Sequence, residues 1–182
     1  MVRVTTLTHF DTSDHRPPFK KPVSTADERD KPAQRVSRFM GHFEQSLDDR
    51  GRLSLPAKFR EKLDDVVVIT KGKGRYLLGF PMHEWEAISV GMDELTTTNE
   101  EHFGALELVY AFASDEEIDK QGRILIPAVL RQYAQLKDNV IIEGLNKRFA
   151  IWDKQNWEIQ QRVLDATGPR IIQSLGDRGI KL

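Results

Sequence analysis

The sequence contains no cysteine and no long apolar segment, and both absences narrow the classes of protein to which it can belong. Without cysteine, neither disulfide bonds nor thiolate metal sites can form, and nothing indicates an oxidising compartment. Apolar runs such as residues 66–69 are far shorter than the roughly 18 residues that span a bilayer. The first residues also lack the apolar block of a secretory signal. We therefore expect a cytoplasmic protein with no membrane segment.

A strong net charge is missing as well. The formal net charge is −1, so the composition gives no support for nucleic-acid binding. The charge is unevenly distributed, because residues 1–38 carry +3 and the rest of the chain carries −4. Any DNA-binding surface must therefore be a local basic patch on a mildly acidic body.

Patterns for catalysis and metal binding are also missing from the sequence. The five histidines show no metal-ligand spacing. There is no Ser/His/Asp arrangement, nucleophile elbow or carboxylate pair placed for acid–base work. The segment 71–75, Lys-Gly-Lys-Gly-Arg, lacks the third glycine and the following helix of a phosphate loop, so we interpret it as a basic hairpin tip. We expect a protein that is not an enzyme and that needs no cofactor or metal.

The composition of residues 1–37 indicates an extension that has no hydrophobic core of its own. They hold four of the eight prolines and show no sustained apolar period, so burial cannot repay the entropy of ordering them. We expect this extension to be disordered. An upstream start codon assigned in error would explain it equally.

From Phe39 onward the chain repeats itself. The segment 48–60, DDRGRLSLPAKFR, returns 71 residues later at 119–131 as DKQGRILIPAVLR, with six of the 13 positions identical. Each copy is followed by a Trp-Glu pair, at 85–86 and at 157–158. Because self-similarity at a fixed spacing indicates a repeated structural unit, we interpret the chain as a duplication.

Each copy predicts the same succession of elements. A first strand, at 42–47 or 115–118, leads into Asp-x-x-Gly, which is the spacing of a type I turn. A second strand with alternating apolar residues follows, and Pro56 or Pro127 then occupies the first position of a short helix. A second hairpin and an amphipathic helix complete the copy.

The helix boundaries are predicted from capping and stop signals. The amphipathic helix of the first copy is expected to end near Gly91. Its counterpart should begin after Asp153 as the N-cap and end near Gly168-Pro169. A capping box starts a further helix over about 98–113.

The size of the repeat predicts how the copies are arranged. A unit of about 45 residues buries too little surface to stand alone, so we expect the two copies to complete one shared β-barrel with pseudo-two-fold symmetry. The predicted organisation has a disordered extension, a first repeat, a connecting helical segment, a second repeat and a helix end with a tail. The corresponding ranges are 1–37, 42–89, 92–112, 113–160 and 161–182.

The candidate functional residues are cations in the two turns. Arg52 and Arg123 directly follow the turn glycines, and Arg50 and Lys120 add a second cation to each turn. A β-ribbon can enter the DNA major groove, and arginine can bind a phosphate or fork onto a guanine edge. We therefore predict these four residues as DNA-binding.

The other turn residues have a structural interpretation. Asp48, Gly51, Asp119 and Gly122 are residue types that any tight turn favours. Each aspartate could also orient the arginine four positions later through an ion pair. In that case the arginine would be an intramolecular partner or a solvated surface charge rather than a DNA contact, and the residues alone leave both interpretations open.

The doubled string Asp-x-x-Gly-Arg-apolar-x-apolar-Pro-Ala, followed each time by a Trp-Glu helix, resembles the MraZ family. Members of this family carry two tandem SpoVT/AbrB-type units, and the resemblance covers about residues 39–160. It implies an α+β fold with a double-split (swapped-hairpin) β-barrel and short peripheral helices. The signature of the family falls on Asp48 with Arg52 and on Asp119 with Arg123.

The resemblance also implies a function. The expected partner is double-stranded DNA, bound by a ring-like homo-oligomer at direct repeats in the promoter of its own operon, the division and cell-wall gene cluster. Such a regulator would be cytoplasmic and associated with the nucleoid. In the second copy Gln121 replaces the basic residue Arg50, with Lys120 beside it, so the two turns need not contribute equally. The alternative is an oligomeric protein-binding scaffold without DNA affinity.

Overall fold

A computed structural model of the chain describes residues 38–95, 104, 106–107, 109–176 and 178–180. Its strands are β1 (His42–Ser46), β2 (Arg52–Ser54), β3 (Val66–Lys71), β4 (Tyr76–Pro81), β5 (Ser114–Glu117), β6 (Arg123–Leu125), β7 (Asn139–Leu145) and β8 (Arg148–Asp153). Its helices are α1 (Ala57–Arg60), α2 (Met82–Leu95), α3 (Ala128–Ala134) and α4 (Lys154–Gly176). The predicted extension at 1–37 and the predicted capping box lie outside the described residues.

The strands form one large sheet and one small ribbon. The six-stranded sheet has the order β1-β7-β8-β4-β3-β5, and β2 pairs with β6 in a two-stranded ribbon. All of these pairings are antiparallel. The prediction of a mixed α+β fold is confirmed.

The strand order shows how the two copies of the repeat interlock. The first strand of the first copy, β1, pairs with β7 of the second copy, whereas β5 pairs with β3 of the first. The ribbon pairs one strand from each copy, and β4 meets β8 at the centre of the sheet. If each strand is replaced by its counterpart in the other copy, the strand order of the sheet stays the same when it is read from the opposite edge. Each copy therefore completes the sheet of the other.

The main core lies between the sheet, the ribbon and the short helices. Phe59 on α1 is fully buried, with its ring 5.0 Å from that of Phe39 and 5.8 Å from that of Phe149 in the second copy. Leu53 and Ile124 close the core from the ribbon side. A smaller cluster joins Trp85 of α2 to Val68 and Phe80 of the six-stranded sheet. The main core is therefore shared by both copies.

Several predicted boundaries differ from the structure. Pro56 and Pro127 are the N-cap residues of α1 and α3, in extended conformation, rather than their first helical residues.

Two predicted helix ends are wrong. Helix α2 continues through Gly91, and α4 continues through Gly168 and Pro169 to Gly176. No residue of α4 is buried. Water can therefore hydrate the carbonyl that lacks the proline N–H as its partner, although the proline ring still crowds the preceding turn. Asp153 caps α4 as predicted, because its Oδ1 accepts the N–H of residue 155 at 3.0 Å.

Replacing Phe59 by alanine tests the shared core. Because this ring contacts aromatic side chains of both copies, Phe59→Ala should lower the free energy of unfolding by about 3–5 kcal/mol. Chemical denaturation measures the change. As a control, Val90→Ala on α2, where the side chain is 62% exposed, should change it by less than about 0.5 kcal/mol. Equal effects of the two substitutions would contradict a core centred on Phe59.

Candidate nucleic-acid interface

The first Asp-x-x-Gly turn is closed by the carboxylate of Asp48. Its Oδ1 accepts the backbone N–H of Arg50 at 3.0 Å and that of Arg52 at 2.8 Å. Its Oδ2 accepts the side-chain Nε–H of Arg52 at 2.7 Å. The backbone N–H of Gly51 donates to the carbonyl of Asp48 at 2.8 Å. One carboxylate thus satisfies the turn and fixes the direction of the arginine that follows it.

The second turn repeats this geometry closely. Asp119 Oδ1 accepts the backbone N–H groups of Gln121 and Arg123, both at 2.9 Å. Asp119 Oδ2 accepts Nε–H of Arg123 at 2.8 Å and Nη2–H at 2.7 Å. The backbone N–H of Gly122 donates to the carbonyl of Asp119 at 2.8 Å. The duplication of the sequence is therefore a duplication of side-chain geometry.

The two arginines keep different numbers of donors available. Within the described residues, both terminal nitrogens of Arg52 lack a hydrogen-bond partner, whereas Arg123 keeps only Nη1 without one. Their side chains are 33% and 24% exposed, respectively. Each guanidinium is thus held along one edge and open along the other. Arg50 and Lys120, within the turns, are exposed.

Both turn glycines have a backbone conformation that other residues rarely adopt. The φ angle is +81° at Gly51 and +74° at Gly122. A Cβ added at Gly51 would also lie 2.8 Å from Cζ and Nε of Arg131 on α3, and one at Gly122 would overlap the side chain of Arg60 on α1. Each turn is therefore covered by an arginine from the other copy of the repeat.

The ribbon brings the two turns onto one surface. Arg52 pairs with Leu125, Leu53 with Ile124, and Ser54 with Arg123. Leu53 and Ile124 are buried. Because side chains alternate across a strand, Arg52 and Arg123 lie together on the opposite, outer face. We call this surface, formed by residues 52, 54, 123 and 125, the ribbon face. Two predicted candidates from distant parts of the sequence thus share one side of the molecule.

The turn geometry lowers the pKa of both aspartates. The pKa of Asp48 lies below its usual value of 3.8, chiefly because it accepts the backbone N–H of Arg52 and also because of the Arg52 side chain. The pKa of Asp119 is lowered mainly by the hydrogen bond from the Arg123 side chain, and then by the backbone of the same residue. Both carboxylates are therefore ionised at neutral pH, as a partner for arginine must be.

Sequence reasoning did not select Arg60 and Arg131, although they occupy the last identical position of the repeated segment. That identity was the available signal, but their contact with the opposite turns depends on how the copies interlock.

The expected basic tip at 71–75 is attached to α3 through Tyr133, whose hydroxyl donates to the carbonyl of Gly72 at 2.7 Å. Lys73 and Arg75 in this tip are exposed.

None of the helices in the described residues is both long and apolar enough to cross a membrane.

A family model described as "MraZ protein, putative antitoxin-like" matches residues 38–105 and 110–168 of the chain.

Three similar proteins each carry the name "Transcriptional regulator MraZ". One, from Roseiflexus castenholzii, is 40% identical over 139 residues, which are 76% of this chain and 97% of that protein. Another, from Lactiplantibacillus plantarum, is 42% identical over 66% of this chain and 85% of its own length. A third, from Caldicellulosiruptor saccharolyticus, is 36% identical over 78% of this chain and 99% of its own length.

Substitution of the turn glycines tests the geometry of the turns. Gly51→Ala and Gly122→Ala should each lower the free energy of unfolding by at least about 1–2 kcal/mol, because alanine is strained at positive φ. Thermal or chemical denaturation measures the loss. Gly91→Ala is the matched control: it lies in α2 with open space around it, so alanine there should stabilise the protein by roughly 0.5–1 kcal/mol. The same sign of effect at all three glycines would refute the turn geometry.

The aspartate–arginine pairs predict a pH dependence of stability. A carboxyl group whose pKa is lowered by folding stabilises the protein at any pH above the pKa of that group in the unfolded chain. This contribution is lost as the pH falls through the pKa of the group in the folded protein. The wild type should therefore be more stable than an Asp48→Asn, Asp119→Asn double variant above about pH 3.8, and the difference should shrink at lower pH. Urea denaturation between pH 7 and pH 2 follows the difference. A constant difference across this range would show that the pairs do not lower the two pKa values.

Proposed function

We propose that this chain, which belongs to the MraZ family, regulates transcription by sequence-specific binding to double-stranded DNA. The observation that supports the proposal most directly is the ribbon face, which carries Arg52 and Arg123 at its two ends. Each arginine is held along one edge by an aspartate and keeps at least one terminal nitrogen available. The names of its relatives point in the same direction, because each is called a transcriptional regulator.

The ribbon has dimensions that suit the major groove. Paired strands lie about 4.8 Å apart, so a two-stranded ribbon fits within a groove about 12 Å wide. In that position Arg52 and Arg123 reach base edges, where arginine forks onto guanine, while Arg50 and Lys120 contact phosphates on the flanks. A mildly acidic protein can bind DNA in this way because the cations are concentrated where the duplex lies.

Asp48, Gly51, Asp119 and Gly122 orient the DNA-binding side chains in this proposal. The carboxylate fixes the arginine before DNA arrives, so less rotamer entropy is lost on binding. The glycine admits the covering arginine of the other copy. The contributions of the two turns need not be equal, because Arg123 gives two donors to its aspartate and Arg52 gives one.

The finer features of the proposal concern assembly and target. The two units at 42–89 and 113–160 would form a double-split (swapped-hairpin) β-barrel, and several copies would assemble into a ring. One chain neutralises few phosphates and binds weakly, but a ring that places several ribbons along direct repeats gains affinity through effective concentration. The proposed target is the set of promoter boxes of its own operon in the division and cell-wall cluster. The protein would act in the cytoplasm, at the nucleoid.

Removing one arginine tests the proposal. Arg52→Ala should weaken binding to the DNA upstream of the gene by about tenfold or more, because a bidentate arginine–base contact contributes about 1–3 kcal/mol. Gel-shift titration at several salt concentrations measures affinity and salt dependence together. Arg162→Ala, an exposed arginine on α4, is the control and should leave the affinity within about twofold.

The same titration separates DNA binding from a protein-binding scaffold. A regulator that contacts phosphates loses affinity steeply as salt rises, because bound counterions are released. If a folded Arg52→Ala protein kept full affinity, the assignment of the site would be wrong. If the wild type bound no duplex at low salt, the scaffold would replace the regulator as the proposed function.

A further inference from the structure

The two ends of the ribbon face are equivalent in backbone but differ in side chains. At one end Arg52 lies directly opposite Leu125, and at the other Arg123 lies opposite Ser54. Leu125 and Ser54 occupy matching positions of the repeat, 71 residues apart. One guanidinium therefore has an isobutyl group as its neighbour, whereas the other has a hydroxyl group.

The fold does not require an apolar side chain at Leu125. The buried position of β6 is filled by Ile124, which is 1% exposed, whereas Leu125 faces outward and is 49% exposed. Ser54 occupies the matching position of β2, so the strand forms equally with a small polar residue there. A single exposed leucine is ordinary on a protein surface. Its place opposite Arg52 is what distinguishes this one.

We infer that Leu125 determines sequence preference by packing against the 5-methyl group of a thymine next to the base that Arg52 contacts. The inference rests on the proposed DNA-binding function. The thymine methyl is the apolar group that base pairs present in the major groove. Directly opposed side chains in an antiparallel pair have Cβ atoms about 4.5–5.5 Å apart, so the two residues reach neighbouring base pairs.

The other end of the ribbon face then has a different preference. Ser54, beside Arg123, can hydrogen-bond to any of several bases, so this end requires no methyl group. A pseudo-symmetric ribbon thus reads an asymmetric sequence, with a guanine–thymine step at the Arg52 end. This asymmetry gives the ribbon a defined direction along a row of direct repeats.

Exchanging thymine for uracil tests the inference, because uracil lacks only the 5-methyl group. The probe is a duplex recovered with the wild-type protein from a random-sequence pool, prepared in thymine and uracil forms. Uracil should weaken binding of the wild type by about fourfold for each methyl contacted, the fold-change expected from burying one methyl-sized group. Leu125→Ser should bind both forms with equal affinity. Ser54→Leu places a leucine beside Arg123, so a second duplex, recovered from the same pool with this variant, should lose more affinity on exchange to uracil than the first duplex loses with the wild type.

Two controls separate this contact from other roles of Leu125. Val163→Ser on α4 removes a similarly exposed side chain, 51% exposed, and should keep the thymine preference of the wild type. The sedimentation coefficient of the Leu125→Ser variant should match that of the wild type. A change in assembly state would overturn the inference, because it would assign Leu125 to a protein interface instead.

The outcomes distinguish the thymine contact of Leu125 from the proposed DNA binding on which it rests. Tight binding of the wild type to both forms with equal affinity would overturn the thymine contact and leave DNA binding intact. A thymine preference that persists in Leu125→Ser would assign the contact to another residue and also overturn the inference. A pool that yields no enriched sequence would overturn both the contact and sequence-specific binding.

Discussion

The pairing of β2 with β6 is the interaction on which the candidate interface depends. These two three-residue strands come from different copies of the repeat, and they place Arg52 and Arg123 on one face because Leu53 and Ile124 are buried on the other. The ribbon is fixed to both turns, since the N–H of Leu55 donates to the carbonyl of Gly122 and that of Ile126 to Gly51. Neither copy could form this surface alone.

Each aspartate in the ribbon turns serves two purposes. It closes the turn by accepting backbone N–H groups, and it holds the next arginine along one edge. A side chain oriented in this way loses little entropy when it meets a ligand, although it gives up part of its hydrogen-bonding capacity to the protein. The structural and functional interpretations of the turn are therefore compatible, because the same carboxylate satisfies both.

Local features were predictable from the sequence, and features that depend on distant contacts were not. The Asp-x-x-Gly spacing predicted both turns, and the duplication predicted that the second would repeat the first, because turn chemistry is decided within four residues. The placement of Arg60 and Arg131 against the opposite turns follows from the interlocked strands, which no local pattern specifies. The stop predicted at Gly168-Pro169 is wrong, because α4 passes through both residues although an internal proline loses one hydrogen bond and crowds the preceding turn.

We propose that both copies of the repeat jointly build one continuous arginine-bearing ribbon that binds a DNA duplex. A structure of the protein bound to DNA tests it most directly. We expect the ribbon to lie in the major groove, with terminal nitrogens of Arg52 and Arg123 within hydrogen-bond distance of bases or phosphates. Both aspartates should still be hydrogen-bonded to their arginines. Duplex DNA bound along α4 or the six-stranded sheet, with the ribbon facing solvent, would contradict it.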